Sequence, residues 1–270
     1  MDASVDREIR KRISESRMKD KDLFETVEEV FDKPTVLAIL ELKRRNCLAK
    51  LKGVISAGKE ARVYWGKASN GEDLAVKIYL TSSAEFRKSI WKYIQGDPRF
   101  DHVKNVPMHK LVSIWARKEY SNLKKMYSVG INVPKPMCVY RNILIMEFIG
   151  IDGVRAPLLK ELYEMQHIDE EKSKHYFYII IRNVYRMYWY AGLVHGDLSE
   201  YNIMIFKDIP YIIDVSQSVR IEHPNAHQFL YRDIINIVRF FHNEVGLDIP
   251  SADEIYNEIV SKSIKNIEEE

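Results

Sequence analysis

Residues 193–216 read LVHGDLSEYNIMIFKDIPYIIDVS and are the most informative segment of this 270-residue chain. The segment reads as two short strands around a loop, with oxygen-bearing side chains at Asp197, Asn202 and Asp214. Such residues most often cap turns, but Asp214 ends an apolar strand, where a carboxylate is costly unless a cation meets it. We therefore predict a Mg²⁺ site with Asn202 and Asp214 as ligands and Asp197 facing the acceptor. His195 is expected to hold the loop rather than act as a base.

A second feature is the apolar segment LAVKIYL, residues 74–80, which contains Lys77. A lysine in such a strand usually turns its ammonium group to solvent. Two β-rich runs flank Asn70-Gly71, a dipeptide typical of β-hairpin turns, and this context matches the kinase strand whose lysine pairs with nucleotide phosphates and a helix glutamate. Glu119, on a helix predicted over residues 109–129, is the best candidate for that partner. Glu161 and Glu164 compete with it but come much later in the chain.

A third feature is the loop SAGKEA, residues 56–61, between two predicted strands. Gly58 would let the backbone approach phosphate oxygens, and Ser56 and Lys59 would add direct contacts. A single glycine is a weak signal, and the loop taken alone reads equally well as a turn without a ligand.

Composition excludes several classes of protein. With 46% hydrophobic and 30% charged residues, the chain is neither disordered nor fibrous. No apolar run approaches the roughly 18 residues of a membrane span, so we expect a cytoplasmic protein without membrane contact. A net charge of +2 leaves nucleic-acid contact to a local basic patch. Cys47 and Cys138 lie outside any CxxC spacing, which predicts free thiols in a reducing compartment and argues against a structural zinc site.

Together these motifs resemble the RIO family of atypical serine/threonine protein kinases, and within it the Rio1-type branch. The similarity covers about residues 50–243 and rests on six segments: SAGKEA, AVKIY, WARKEYSNL, MEFIG, LVHGDLSEYN and IIDVSQSV. Departures from ordinary protein kinases suit this family, because HGD replaces HRD and IDVS replaces DFG. No APE motif follows Asp214.

The resemblance implies an α+β, two-lobed protein-kinase-like fold. Its N-lobe would be a small antiparallel sheet, and its C-lobe reduced, mainly helical and without a conventional activation segment. On this interpretation, residues 1–50 are an N-terminal helical extension in which Pro34 separates two helices. Residues 51–149 form the N-lobe with a flexible insertion at 81–107, and residues 150–270 form the C-lobe, ending in a polar tail.

The resemblance also implies ATP and Mg²⁺ as cofactors, with Mn²⁺ as a substitute. Asp197 would be the catalytic acid/base, and Asn202 and Asp214 the metal ligands, with Asp214 also able to carry a phospho-aspartate. Lys77 would anchor phosphate, oriented by Glu119.

The remaining implied contacts are to the adenine base and to larger partners. Glu147 and Ile149 would offer backbone groups to adenine, beside Met146. The implied activity is that of a serine/threonine kinase or an ATPase in small ribosomal subunit maturation, with a pre-ribosomal particle as partner. Candidate autophosphorylation sites are Thr81, Ser82, Ser83 and Ser89. Two alternatives stay open: a small-molecule phosphotransferase of the aminoglycoside or choline kinase kind, and a scaffold that a nucleotide locks in one conformation.

Overall fold

A five-stranded antiparallel sheet organises the first part of the computed structural model, which describes residues 31–80, 84–100, 103, 106–165 and 168–262. The strands are β1 (Lys50–Ala57), β2 (Ala61–Lys67), β3 (Asp73–Tyr79), β4 (Pro136–Tyr140) and β5 (Ile143–Glu147). Their order across the sheet is β1-β2-β3-β5-β4, so β3 is the central strand.

The α-helices of the described residues flank this sheet and build the second part of the chain. They are α1 (Lys33–Arg44), α2 (Ala84–Ile94), α3 (Met108–Ser128), α4 (Leu159–Met165), α5 (Glu170–Trp189), α6 (Ala226–Arg239) and α7 (Ala252–Ser261). This α+β arrangement, with a small antiparallel sheet followed by a mainly helical part, agrees with the sequence prediction.

The alternation of side chains along β3 decides which residues face the future site. Leu74, Val76 and Ile78 pack in the cluster that includes α1, whereas Ala75 and Tyr79 belong to the cluster around Trp115 of α3. Because successive side chains of a strand point to opposite faces, Lys77 shares the face of Ala75 and Tyr79 and is directed toward α3.

Short antiparallel strand pairs lie between the helices of the second part. They are β6 (Gly150–Ile151) with β7 (Val154–Arg155), β8 (Leu193–Val194) with β11 (Val219–Arg220), and β9 (Ile203–Phe206) with β10 (Ile209–Ile212). Asn202 immediately precedes β9, and Asp214 follows β10 by two residues. The antiparallel pairing therefore returns Asp214 to the neighbourhood of Asn202, and the amide of Ile213 donates to the carbonyl of Asn202 at 2.9 Å.

The segment predicted as a flexible insertion, residues 81–107, is described in part. Helix α2 lies within it and buries Phe86, Ile90 and Tyr93 in the same cluster as Trp115. The candidate phosphorylation sites Thr81, Ser82 and Ser83 lie outside the described residues. The flexibility of this segment stays a prediction.

The predicted hairpin around Asn70-Gly71 is present: β2 and β3 pair antiparallel and are joined by residues 68–72, in which Gly71 has a positive φ of 87°. One local prediction, that of a polar tail, was wrong. The polar tail contains α7, which Ser251 and Glu254 start with a capping box and which buries Ile255 and Ile259. Pro34 lies in the first turn of α1, and the other helix predicted in residues 1–50 lies outside the described residues.

The prediction of two free thiols was also wrong. Cys47 and Cys138 form a disulfide that joins the end of the α1 segment to β4 across a separation of 91 residues. No sequence spacing could indicate this pair, because β4 reaches Cys47 only through the folded sheet. The argument for a reducing compartment, which assumed free thiols, therefore no longer holds.

The disulfide should stabilise the fold measurably. Closing so long a loop restricts the unfolded chain, so we expect replacement of both cysteines by serine to lower the free energy of unfolding by about 2 to 4 kcal/mol. Denaturant unfolding with and without reductant measures this. Reductant should destabilise the native chain and leave the double variant unchanged; equal stability of native chain and variant under oxidising conditions would contradict the disulfide.

Candidate active site

A cavity of about 440 Å³ opens between the sheet and the β9–β10 hairpin. Nine of the residues predicted from the sequence line it: Ser56, Gly58, Lys59, Lys77, Met146, Glu147, Ile149, Asn202 and Asp214. Glu119 and Asp197 are not among the lining residues, but both are joined to the site by hydrogen bonds. The fold thus brings together side chains that are far apart in the sequence.

Lys77 is the central cation of the site. Its Nζ lies 2.9 Å from Glu119 Oε1 and 2.8 Å from Asp214 Oδ1, and only 6% of the residue is exposed. Tyr79, two residues along the same strand face, donates its hydroxyl to Glu119 Oε2. Burial by itself lowers the pKa of Lys77, but Asp214 and Glu119 outweigh it, and the pKa is raised. Lys77 is therefore a charged group on the cavity wall.

Asp214 occupies a conformation that few non-glycine residues adopt. Its φ of 56° and ψ of 58° are left-handed, and its side chain is 46% exposed, facing the cavity. Lys77 and the hydroxyl of Ser216, which donates at 2.9 Å, both contact Oδ1. Desolvation by the walls of the cleft tends to raise the pKa of Asp214, but these two partners lower it below its ordinary value. The carboxylate is therefore held ionised, and both of these hydrogen bonds go to Oδ1.

Asp197 and Asn202 are held on the loop that precedes β9. Asn202 Nδ2 donates to the carbonyl of Asp197 at 2.7 Å, and Gln217 Nε2 donates to Asp197 Oδ2 at 3.1 Å. Desolvation within the cleft raises the pKa of Asp197. The positive charge of Arg232 opposes this shift, and the negative charge of Asp214 adds to it. Because the amide nitrogen of Asn202 is engaged, its Oδ1 is left to face a ligand.

The oxygen donors suit Mg²⁺. Asp214 offers a carboxylate and Asn202 an amide oxygen, and Mg²⁺ commonly takes one or two such ligands together with phosphates and waters. Within the described part of the chain, no three His, Cys, Asp or Glu side chains form a metal-binding group. The two oxygen donors fit a magnesium ion whose other ligands are phosphate oxygens and waters.

The predicted adenine contacts are limited by backbone hydrogen bonds. The amide of Glu147 donates to the carbonyl of Lys135, and the carbonyl of Ile149 accepts from the amide of Ala156. A base beside Met146 would therefore meet the carbonyl of Glu147 and the amide of Ile149.

The loop at residues 56–61 differs from the expected phosphate loop in one respect. The amide of Gly58 donates to the carbonyl of Ala61 at 3.0 Å, which closes the turn and engages that amide. Phosphate contacts from this loop would therefore fall to Ser56 and Lys59, which are exposed beside the cavity. Ser89 of α2 lies beside Glu60 of the loop, so the insertion adjoins the site.

Asp233 of α6 is a site residue that the sequence analysis missed. Its two carboxylate oxygens accept from the amides of Gly196 and Leu198 at 2.7 and 2.9 Å, and Asn236 donates to the carbonyl of Leu198. Burial raises the pKa of Asp233 to about 7. The sequence did contain a signal for this residue: Asp233 lies on the apolar face of an amphipathic helix, four residues before Ile237, where a carboxylate needs a buried partner.

His195 has the structural environment predicted for it. Its Nε2 lies 3.2 Å from the carbonyl of Ile213, and its Nδ1 accepts from the amide of Asp197 at 3.3 Å. Burial lowers the pKa of His195 to about 4. A neutral imidazole thus joins the Asp197 loop to the end of β10.

The burial of His195 predicts acid sensitivity. Between pH 6.5 and about 4 the unfolded chain binds a proton at this residue and the native chain does not, so stability falls as the pH is lowered. From pH 7 to pH 5 this loss should be on the order of 1 to 2 kcal/mol, and His195→Asn should be spared it. Denaturant unfolding at both pH values measures the difference. Asp233 has a raised pKa and changes the stability in the opposite direction, but its contribution is the same in the native chain and in His195→Asn and cancels in the comparison. An equal loss of stability in the native chain and the variant would contradict the prediction.

Comparison with known proteins decides the family. A family model described as the RIO domain matches residues 62–255. This chain belongs to the RIO family. The RIO-type serine/threonine-protein kinase Rio1 of Methanocaldococcus jannaschii is 41% identical to it, over 98% of this chain and 87% of that protein. The family prediction is therefore confirmed, and with it the class of atypical serine/threonine kinase.

Eukaryotic relatives are longer than this RIO chain. Serine/threonine-protein kinase RIO1 of Homo sapiens is 39% identical over 92% of this chain, a match that covers 43% of the human protein. The RIO1 kinase of Caenorhabditis elegans is 40% identical over 94% of this chain, a match that covers 50% of that protein. The chain thus spans about half or less of these two proteins.

A solved structure confirms the predicted kinase-like fold. The Rio2 kinase of Chaetomium thermophilum, in a complex with ADP/Mg²⁺-phosphoaspartate, matches 85% of this RIO chain and 71% of its own with a TM-score of 0.59. At 22% sequence identity, this match supports the fold alone. No helix of the described residues is long and apolar enough to cross a membrane.

Proposed function

We propose that this RIO kinase binds ATP with Mg²⁺ in the cavity and transfers the γ-phosphoryl group to a hydroxyl, a water or its own Asp214. The contact that carries the proposal is Lys77 to Asp214, which joins the central strand to a residue 137 positions later. A cation held between two carboxylates at the wall of a cavity suits a nucleotide phosphate with its metal ion. The protein kinase names of the relatives favour this reading over a small-molecule phosphotransferase or a scaffold.

Each site residue has a distinct part in the proposed reaction. Bound Mg²⁺, held by Asn202 and Asp214, would neutralise charge on the phosphate oxygens. Lys77, oriented by Glu119, would bind a phosphate oxygen and so hold the γ-phosphoryl group in position for attack by the acceptor oxygen. The carboxylate of Asp197 accepts the proton of the attacking hydroxyl or water, an effect worth roughly 10² to 10⁴ in rate.

Two substitutions should separate chemistry from binding. Asp197→Ala should keep nucleotide affinity and lower turnover roughly 10²- to 10⁴-fold, because it removes the proton acceptor alone. Lys77→Met should weaken nucleotide binding as well. Calorimetry with a non-hydrolysable ATP analogue and Mg²⁺, beside a turnover assay, measures both quantities. Undiminished turnover in the Asp197 variant would refute its role.

Asp214 is also proposed as a phosphoryl acceptor. Both of its hydrogen bonds in the described residues go to Oδ1, so Oδ2 is available to form a bond to the γ-phosphorus while the bond to the ADP oxygen breaks. Water would then release phosphate and restore the carboxylate. This sequence makes the protein an ATPase, whereas transfer to serine or threonine makes it a protein kinase.

The two activities differ in where the phosphate ends. With radiolabelled ATP, an acyl phosphate on Asp214 should be lost in hydroxylamine, whereas phosphoserine at sites such as Ser89 should persist. We expect a hydroxylamine-sensitive label together with phosphate release, and neither in Asp214→Asn. A label that resists hydroxylamine and is unaffected by Asp214→Asn would exclude the acyl phosphate.

The exposed face of α3 supports the proposed pre-ribosomal partner. Its one acidic residue, Glu119, is buried, whereas its exposed positions include five basic residues: His109, Lys110, Arg117, Lys124 and Lys125. Lys110, Arg117 and Lys124 recur every seven residues, so they lie along one side of the helix. Such a face suits the phosphates of a ribonucleoprotein particle.

Charge reversal on α3 tests this contact. Arg117→Glu with Lys124→Glu should weaken co-sedimentation with small-subunit precursor particles by at least about tenfold and reduce its salt dependence, because two phosphate contacts are lost. Lys207→Glu, on the exposed β9–β10 turn, is a control of the same kind of charge change. Unchanged sedimentation of the α3 variant, or an equal loss with Lys207→Glu, would count against this face.

A further inference from the structure

The backbone that follows Asp214 needs support from outside. Asp214 itself is left-handed, a conformation that costs a non-glycine residue on the order of 1 kcal/mol or more. After it comes a short 3₁₀ turn, Val215–Gln217, and Ser218 then leads into β11. Val215, Ser216 and Ser218 are buried, so their carbonyl groups require partners inside the protein.

Two side chains of α3 supply those partners. Lys118 Nζ donates to the carbonyls of Ser216 and Ser218, and Asn122 Nδ2 donates to the carbonyls of Val215 and Ser218, at 2.9 and 3.2 Å. Lys118 and Asn122 are four residues apart and so lie on one face of the helix. They are 1% and 0% exposed.

Lys118 is unusual because it faces neutral groups. Among the described residues it forms no ion pair: its Nζ contacts two carbonyls and lies 4.8 Å from the ring centre of Trp115. Because burying a lysine without a carboxylate partner is costly, burial lowers the pKa of Lys118 well below its ordinary value. The contact that this side chain makes in return is the hydrogen bonding of its amino group to two backbone carbonyls that follow Asp214.

A second layer fixes the orientation of Asn122. Arg99 donates from Nη1 to Asn122 Oδ1 at 2.7 Å, which leaves Nδ2 as the group that faces the loop. Arg99 is itself paired with the fully buried Asp97, with Nη2 to Oδ2 at 2.7 Å. Both residues belong to the segment 81–107, so this insertion takes part in the arrangement.

We propose that Lys118 and Asn122 are positioning residues that hold the 215–218 backbone so that Asp214 presents its carboxylate to the nucleotide-bound metal, with Asp97 and Arg99 of the insertion setting the orientation of Asn122. The inference rests on the proposed function, because it assumes Asp214 as a metal ligand. It adds that this metal site depends on the insertion at residues 81–107, through Asp97 and Arg99.

The test compares nucleotide binding with and without metal. ADP affinity is measured by calorimetry in EDTA and in saturating Mg²⁺, and the ratio is the gain due to metal. Lys118→Met removes the amino group at similar volume, and Asn122→Asp replaces the amide donor with an oxygen. Each should reduce the gain about tenfold and leave ADP affinity in EDTA unchanged, since hydrogen bonds to buried carbonyls are lost.

A matched control separates positioning from stability. Ser173→Ala, on α5, removes the hydroxyl of a buried serine that accepts a hydrogen bond from the hydroxyl of Tyr163 at 2.6 Å. It should lower the unfolding temperature and leave the gain unchanged. If Lys118→Met does not fold, Arg99→Gln at the partly exposed second layer should reduce the gain in the same direction by a smaller factor.

The outcomes are distinguishable. An unchanged gain in the folded variants, or an equal loss with Ser173→Ala, overturns the positioning role while the proposed function stands. A native chain whose ADP affinity does not respond to Mg²⁺ overturns the proposed function and this inference together.

Discussion

A buried lysine between two carboxylates is the constraint on which this structure depends. Removing an ammonium group from water costs several kcal/mol, and Lys77 is stable in its position only because Glu119 and Asp214 lie within 3 Å of it. The three charges sum to one negative charge beside a cavity. The site is thus complementary to a metal cation, and Lys77 to a phosphate oxygen.

Three separate parts of the fold must be in place for this contact. The alternation of β3 directs Lys77 toward α3, the packing of Trp115 holds α3 against the sheet, and the β9–β10 hairpin returns Asp214 to the same point. The loops themselves are held by side chains that bind backbone groups. Asp233 holds the amides on either side of Asp197, and Lys118 and Asn122 hold the carbonyls after Asp214. Irregular backbone can carry the site because its polar groups are satisfied from the helices.

Sequence reasoning succeeded where the signal was local. The sequence pattern located α3 to within about one residue, and the spacing of Asp197, Asn202 and Asp214 selected residues that the fold does bring to one cavity or to its edge. It failed where the decisive contact was distant. The disulfide of Cys47, the role of Asp233 and the buried face of α7 all depend on partners that no local pattern identifies.

By itself, the sequence determined the family, the order of the elements and the chemical type of each site residue, because motifs, periodicity and side-chain chemistry are properties of short segments. Only the tertiary structure decided that Glu119 rather than Glu161 or Glu164 meets Lys77, that the Gly58 amide is engaged within its own turn, and that Lys118 supports the metal loop. Those outcomes follow from which faces of strand and helix pack together. Burial then forces each polar group to find its partner within about 3 Å.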